Sequence, residues 1–130
     1  MTAAEKEFFQ TLKFSEEEIR SRFENAWRDL EIAAKDPFAE VRFTYAFQAL
    51  IKVGIALLAR EGLKVRSVPG HHVKILERMS ELLKDPDILT LGNAMRMTRN
   101  QDLYGAGEIV SEKESREYLA FVQRVIKRVE

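Results

Sequence analysis

Apolar residues recur along this chain at three- and four-residue spacing, the period of a helix with one buried face. In the stretch opened by Ser15, Ile19, Phe23, Ala26, Leu30 and Ala33 fall on one face, and the spacing predicts a helix to about Lys35. Near the C-terminus Tyr118, Val122, Val125 and Val129 repeat that spacing. The punctuation agrees. Thr2 with Glu5, Ser15 with Glu18 and Ser111 with Glu114 read as capping boxes, in which a hydroxyl and a carboxylate satisfy the orphan amides of a helix start. The first predicts a short helical arm over about residues 3 to 12, within an N-terminal segment 1–14.

Asp36-Pro37 predicts a turn and a restart, with Asp36 as N-cap and Pro37 at the first helical position. The third helix then runs to about Glu61 and stops at Gly62. It is apolar round much of its circumference through Val53, Ile55, Ala56, Leu57 and Leu58, the composition of a central helix or of one also covered by a second subunit. Leu63 to Gly70 reads as a loop, His72 to Leu83 as a short fourth helix, and Pro86 to about Leu103 as a fifth that Gly105 and Gly107 end. No strand-like alternation of useful length is present. The expectation is one all-α domain over residues 1–130, an antiparallel up-and-down bundle of five to six helices.

Composition narrows the function. The 21 lysines and arginines balance 21 aspartates and glutamates, so binding a polyanion requires a local basic patch. With no cysteine, disulfides, thiolate metal sites and a cysteine nucleophile are excluded, which fits a cytoplasmic protein. The N-terminus lacks the apolar core of a signal peptide, and the most apolar window, Phe43–Ala59, is interrupted by Thr44, Gln48, Lys52 and Gly54. That window falls short of the ~20 apolar residues of a membrane span, so no membrane partner is expected.

The candidate chemistry lies late in the fifth helix, from Met95 to Gly105. Arg96 and Asn100 are four apart, and Arg99 and Asp102 three apart, close enough to pair on a helix surface. Arginine forks onto phosphate and asparagine adds donors beside it, while an exposed helix end whose arginines complement the macrodipole uses the same residues. His71 and His72 are the only histidines. Adjacent on a chain entering a helix, they lack the spacing of a metal-binding pair, and no metal or other cofactor is expected. One could cap or pack at the helix start, or His72 could reach the Arg99 cleft as a substitute base. Trp27, Phe8, Phe9 and Phe14 read as core or dimer-face residues.

The stretch Arg99-Asn100-x-x-x-Tyr104 resembles the motif of the HEPN (higher eukaryote and prokaryote nucleotide-binding) family, an arginine followed after four to six residues by a histidine. Tyr45 to Lys52 is similar to that family's long alanine-rich helix, Pro69-Gly70-His71-His72 sits where many members carry a histidine, and the similarity spans about residues 15 to 128. The resemblance implies a helical bundle that pairs two-fold into a homodimer, joining two motifs in one cleft. Active members are metal-independent ribonucleases of toxin–antitoxin, defence and RNA-processing systems. Others are non-nucleolytic and accompany a minimal nucleotidyltransferase.

Here Tyr104 stands where the motif histidine would. Tyrosine titrates near ~10 against ~6.5 for histidine, so it is a poor general base, yet it donates hydrogen bonds and stacks on bases. Members whose tyrosine the nucleotidyltransferase modifies carry it two residues later, at a position that is Ala106 here. The expectation is a non-nucleolytic protein that binds a nucleotide or RNA through Arg96, Arg99, Asn100 and Tyr104, with a nucleotidyltransferase as candidate partner. If it is an enzyme, Arg99 and Tyr104 are the catalytic pair, or His72 replaces Tyr104, in a metal-independent ribonuclease toxin. The third reading is a structural dimeric interaction module in which Arg99 pairs with Asp102.

Overall fold

The computed structural model describes residues 1–102 and 110–130, with the backbone alone at Asp102. Among these residues six helices form: α1 (Ala3–Phe8), α2 (Glu16–Lys35), α3 (Ala39–Arg60), α4 (His71–Leu83), α5 (Pro86–Asp102) and α6 (Glu112–Val129). The architecture is an all-α bundle, as the periodicity predicts. Helix α3 is the axis: α2, α6, α4 and α5 all pack on it, and α4 and α5 pack on each other.

The caps follow the sequence at α2 and α6, whereas at α1 Thr2 Oγ1 accepts from Glu5 N at 3.1 Å but the Glu5 carboxylate lies toward Arg78 and the box is half formed. At α2 the Ser15 hydroxyl accepts from Glu18 N at 3.1 Å and the Glu18 carboxylate accepts from Ser15 N at 2.9 Å. Ser111 and Glu114 repeat the pair at α6, at 3.0 and 3.2 Å. Each box satisfies two amides that would otherwise lack partners. Pro86 does open α5, with the Asp85 carboxylate accepting from Asp87 N at 3.1 Å. At the other proline the restart differs. Helix α3 begins at Ala39 behind Phe38, and Asp36 Oδ1 accepts from Phe38 N at 2.9 Å, so the aspartate closes a turn instead of capping the helix.

The arm also differs from expectation. Its helix stops at Phe8, and Phe9–Thr11 (β1) pairs antiparallel with Leu63–Val65 (β2), Phe9 opposite Val65 and Thr11 opposite Leu63. Flanking bonds lengthen the ladder: Leu12 N donates to Gly62 O at 2.9 Å and Arg66 N to Phe8 O at 2.7 Å. Three residues are too few for a period-two pattern to show in sequence, and the pairing is set by where α3 ends. Burying Phe9 and Phe14 holds this clip against the bundle. Trp27 stays more than a third exposed, stacked on Phe23 with ring centroids 6.1 Å apart.

By length and composition α3 would suffice to cross a membrane, more than its interrupted apolar run suggests, but 67% of that window is buried against its own bundle. Its surface is shaped for close packing. A Cβ on Gly54 would sit 2.5 Å from Ile75 Cγ2 and from Met79 Sδ, and one on Gly92 of α5 would sit 2.6 Å from Leu76 Cδ2. Helix α4 therefore lies wedged between two glycine notches, and that seating fixes where its first turn points.

Two charged side chains are buried in this frame, Asp29 and Arg42. Arg42 is almost fully buried, donating to Glu112 Oε1 at 3.0 Å, to Ser115 Oγ at 2.9 Å and to the Asp36 carbonyl at 3.0 Å. It ties the α2–α3 turn to the first turn of α6.

Candidate functional site

The last turns of α5 and the first turn of α4 face each other across a cleft of about 350 Å3. Arg96 and Asn100 line it from α5, and His71, His72 and the loop Ser67–Gly70 from the opposite side. The four-residue spacing that singled out Arg96 and Asn100 thus places both on one wall. Among the described residues no carboxylate lines the cleft. Arg96 is the one cation among the described lining residues.

Hydrogen bonds orient Arg96 and His71. Arg96 Nε donates to Asn93 Oδ1 at 2.9 Å, a bond one helical turn back that aims the guanidinium. His71 Nδ1 lies 2.8 Å from the Val68 carbonyl. A carbonyl can only accept, so Nδ1 carries the proton and, in the neutral ring, Nε2 keeps its lone pair. The same bond pins the loop to the helix start. Gly70 is the N-cap of α4; among the described residues no side chain caps that first turn, and of its amides that of His71 donates to the Val68 carbonyl at 3.1 Å, so the positive end of the helix dipole lies beside the arginine.

His72 stands between two environments. Its ring meets Phe47 of α3 edge-on, centroids 5.8 Å apart, and lies 4.3 Å from the ring of His71. On the same Phe47 ring rests the Arg99 guanidinium, 5.6 Å from the centroid. Burial, followed by the charges of His71, Arg99 and Arg96, drives the His72 pKa down from 6.5 to about 4. The ring is therefore neutral at pH 7, an acceptor or a donor according to tautomer but not a cation.

Of the residues the sequence nominated, Arg96, Asn100 and His72 line the cleft, and Arg99 sits behind it on Phe47. Tyr104 and the glycines Gly105 and Gly107 lie outside the described residues, as does the side chain of Asp102 and hence the expected Arg99–Asp102 pair. His71 packs at the helix start, and His72 shares the Phe47 ring with Arg99. What the sequence did not reveal is the loop backbone and the Phe47 platform, neither of which carries a motif. Among the described residues no three of His, Asp and Glu gather in a metal-holding cluster. No family model, curated protein or solved structure matches the chain, so the chemistry of the cleft rests on its own side chains.

Proposed function

We propose that the α4–α5 cleft is a phosphate-binding site for a nucleotide or RNA, in a HEPN-like protein that binds without cleaving. The observation that carries this reading is the convergence of three sources of positive potential: the Arg96 fork, Asn100 as an added donor, and the N-terminus of α4. Arg99 acts from behind the cleft, its charge held on the Phe47 face and directed at the same ligand. Two-fold pairing of the chain and attachment to a minimal nucleotidyltransferase belong to this proposal, and light scattering of the purified protein tests the pairing.

The test is fluorescence anisotropy with labelled single-stranded RNA and with labelled UMP, in EDTA. Arg96→Ala is expected to weaken both by roughly tenfold or more, as expected for a charge-assisted fork worth ~1.5–3 kcal/mol. Unchanged affinity in that variant and in Arg99→Ala would sink the reading.

The enzymatic alternative draws on the two histidines facing Arg96. In a metal-independent cleavage a base takes the proton of the RNA 2′-hydroxyl, the oxygen attacks phosphorus, and the 5′-oxygen departs carrying a proton. His72, whose proton affinity lies far below neutrality, is a weak base for this step; His71, with a free Nε2 lone pair, is the better placed of the two. Appearance of 2′,3′-cyclic phosphate ends that vanish in His71→Gln would establish the ribonuclease over the binder.

A further inference from the structure

A second, more enclosed cavity of about 160 Å3 lies where α2, α3 and β2 come together, and it meets the α4–α5 cleft at Ser67 and His71. Its walls are mostly apolar: Phe14 from the segment before α2, Ile55 from α3, and Leu63 and Val65 from one face of β2. Lys64 lies between those two on the strand, and alternation turns its side chain to the opposite face. Close-packed interiors leave few voids larger than a water molecule, so a space of this size is a feature in its own right. An apolar cavity of ~150 Å3 accommodates a benzene ring.

One cation serves these apolar walls. Arg22, part-buried on α2, lies over the Phe14 ring with its guanidinium 4.5 Å from the centroid, and its Nη1 donates to Glu18 O at 2.9 Å. Those two contacts fix the guanidinium without neutralising it. Among the described residues Arg22 has no ion-pair partner. Glu18, one turn earlier, gives its carboxylate to the Ser15 amide at 2.9 Å. Nor does any carboxylate among the described residues line the cavity. By contrast the buried Arg42 and the part-buried Arg78 have carboxylates at 3.0 and 3.7 Å. A guanidinium fixed beside apolar walls attracts an anion more strongly than one in water, and its planar fork matches a carboxylate.

We propose that this cavity binds a small carboxylate whose apolar body is about the size of a benzene ring. The ring would lie among Ile55, Leu63 and Val65, with the carboxylate on Arg22. This site is independent of the cleft reading, since Arg96 plays no part in it. Size and charge select the class together. Inorganic phosphate would match Arg22 but leave the apolar walls without contacts. An uncharged ring would fill the walls and leave the guanidinium unmatched, and a nucleotide is too large for the space.

The test is fluorine NMR of the full chain with para-fluorobenzoate, beside fluorobenzene, and with inorganic phosphate as competitor. Para-fluorobenzoate should bind saturably and more tightly than fluorobenzene. Arg22→Gln, which keeps the stem near Phe14 and removes the charge, should weaken it by about tenfold or more and leave fluorobenzene unchanged. Ile55→Phe, which fills the cavity from α3, should exclude both compounds. Circular dichroism checks that each variant folds, and the Arg22→Gln result alone decides the matter should Ile55→Phe not fold.

No saturable binding of para-fluorobenzoate, or an affinity indifferent to Arg22→Gln, overturns the proposal. Binding lost in Arg96→Ala but kept in Arg22→Gln puts the compound in the cleft and overturns this site while leaving the cleft reading intact. Equal affinity for fluorobenzene overturns the role given to Arg22. Displacement of para-fluorobenzoate by an equal concentration of inorganic phosphate shows a plain anion site and overturns the carboxylate class.

Discussion

Lowering the pH should loosen this bundle through His72 before its carboxylates titrate. In the folded protein the ring holds its proton with a pKa of about 4, against 6.5 in the unfolded chain. The unfolded state therefore binds the proton more tightly, so the stability tied to this ring is full above pH 6.5 and is lost as pH falls toward 4. The whole drop from 6.5 to about 4 corresponds to ~3.4 kcal/mol at ~1.36 kcal/mol per tenfold in proton affinity. At pH 5 the portion already lost is ~2 kcal/mol, and partial exposure of the ring to water reduces this to ~1 kcal/mol.

The carboxylates that the fold holds low, Glu18 through its bonds to Ser15, Glu31 through Lys35 and Glu112 through Arg42, begin to lose their contributions only as pH falls through the ordinary carboxylate range, so between pH 7.5 and pH 5 the loss is mainly that of His72. The assay is urea unfolding at pH 7.5 and pH 5 for the wild type and for His72→Gln. The wild type should lose ~1 kcal/mol more than the variant between the two pH values. Equal losses would refute the assignment of His72 as a neutral, desolvated ring. Phosphate added at pH 5 should reduce the difference, because an anion in the cleft favours the protonated imidazole.

Other perturbations follow from the frame. Arg42→Ala removes three hydrogen bonds, one of them to a backbone carbonyl with no replacement, and should cost ~2–4 kcal/mol in urea unfolding. Gly54→Ala gains about 1 kcal/mol of helix propensity but drives a methyl against Ile75 and Met79, and a net loss of ~1–2 kcal/mol is expected. A stabilised variant would show that α4 can retreat from α3 at little cost. Ser15→Ala should lower stability by ~1 kcal/mol through loss of the α2 capping box, read as a fall in thermal midpoint.

The fold was legible in sequence wherever local chemistry decided it. Ser15 with Glu18, Ser111 with Glu114 and Pro86 each place a helix start, because the groups that cap a helix lie within one turn of it. Where distant packing decided, the sequence was silent. Nothing within Phe9–Thr11 announces a strand; its partner arrives only once α2 and α3 have folded back. The same division holds at the cleft. Arg96 and Asn100 stand out by their helical spacing, whereas the Phe47 ring that carries both Arg99 and His72 comes from another helix and looks like any core phenylalanine. Nor does sequence tell that Arg22 and Lys64, 42 positions apart (64 minus 22), line one cavity.

The β1–β2 clip also sets an order of events. Phe9 and Val65 lie 56 positions apart (65 minus 9), and the closed loop between them contains all of α2 and α3. Forming the clip early would incur loop-closure entropy with little apolar burial in return, so the α2–α3 hairpin should form first and the arm should dock late. The arm is then also the first part to open, and Arg66, whose amide bonds Phe8, opens with it. In native-state hydrogen exchange the Leu63–Arg66 amides bonded to the arm should lose protection together with the Phe9–Leu12 amides, at a lower free energy than those of α3. Removing the arm would leave α3 protected while freeing the strand that leads into the cleft loop.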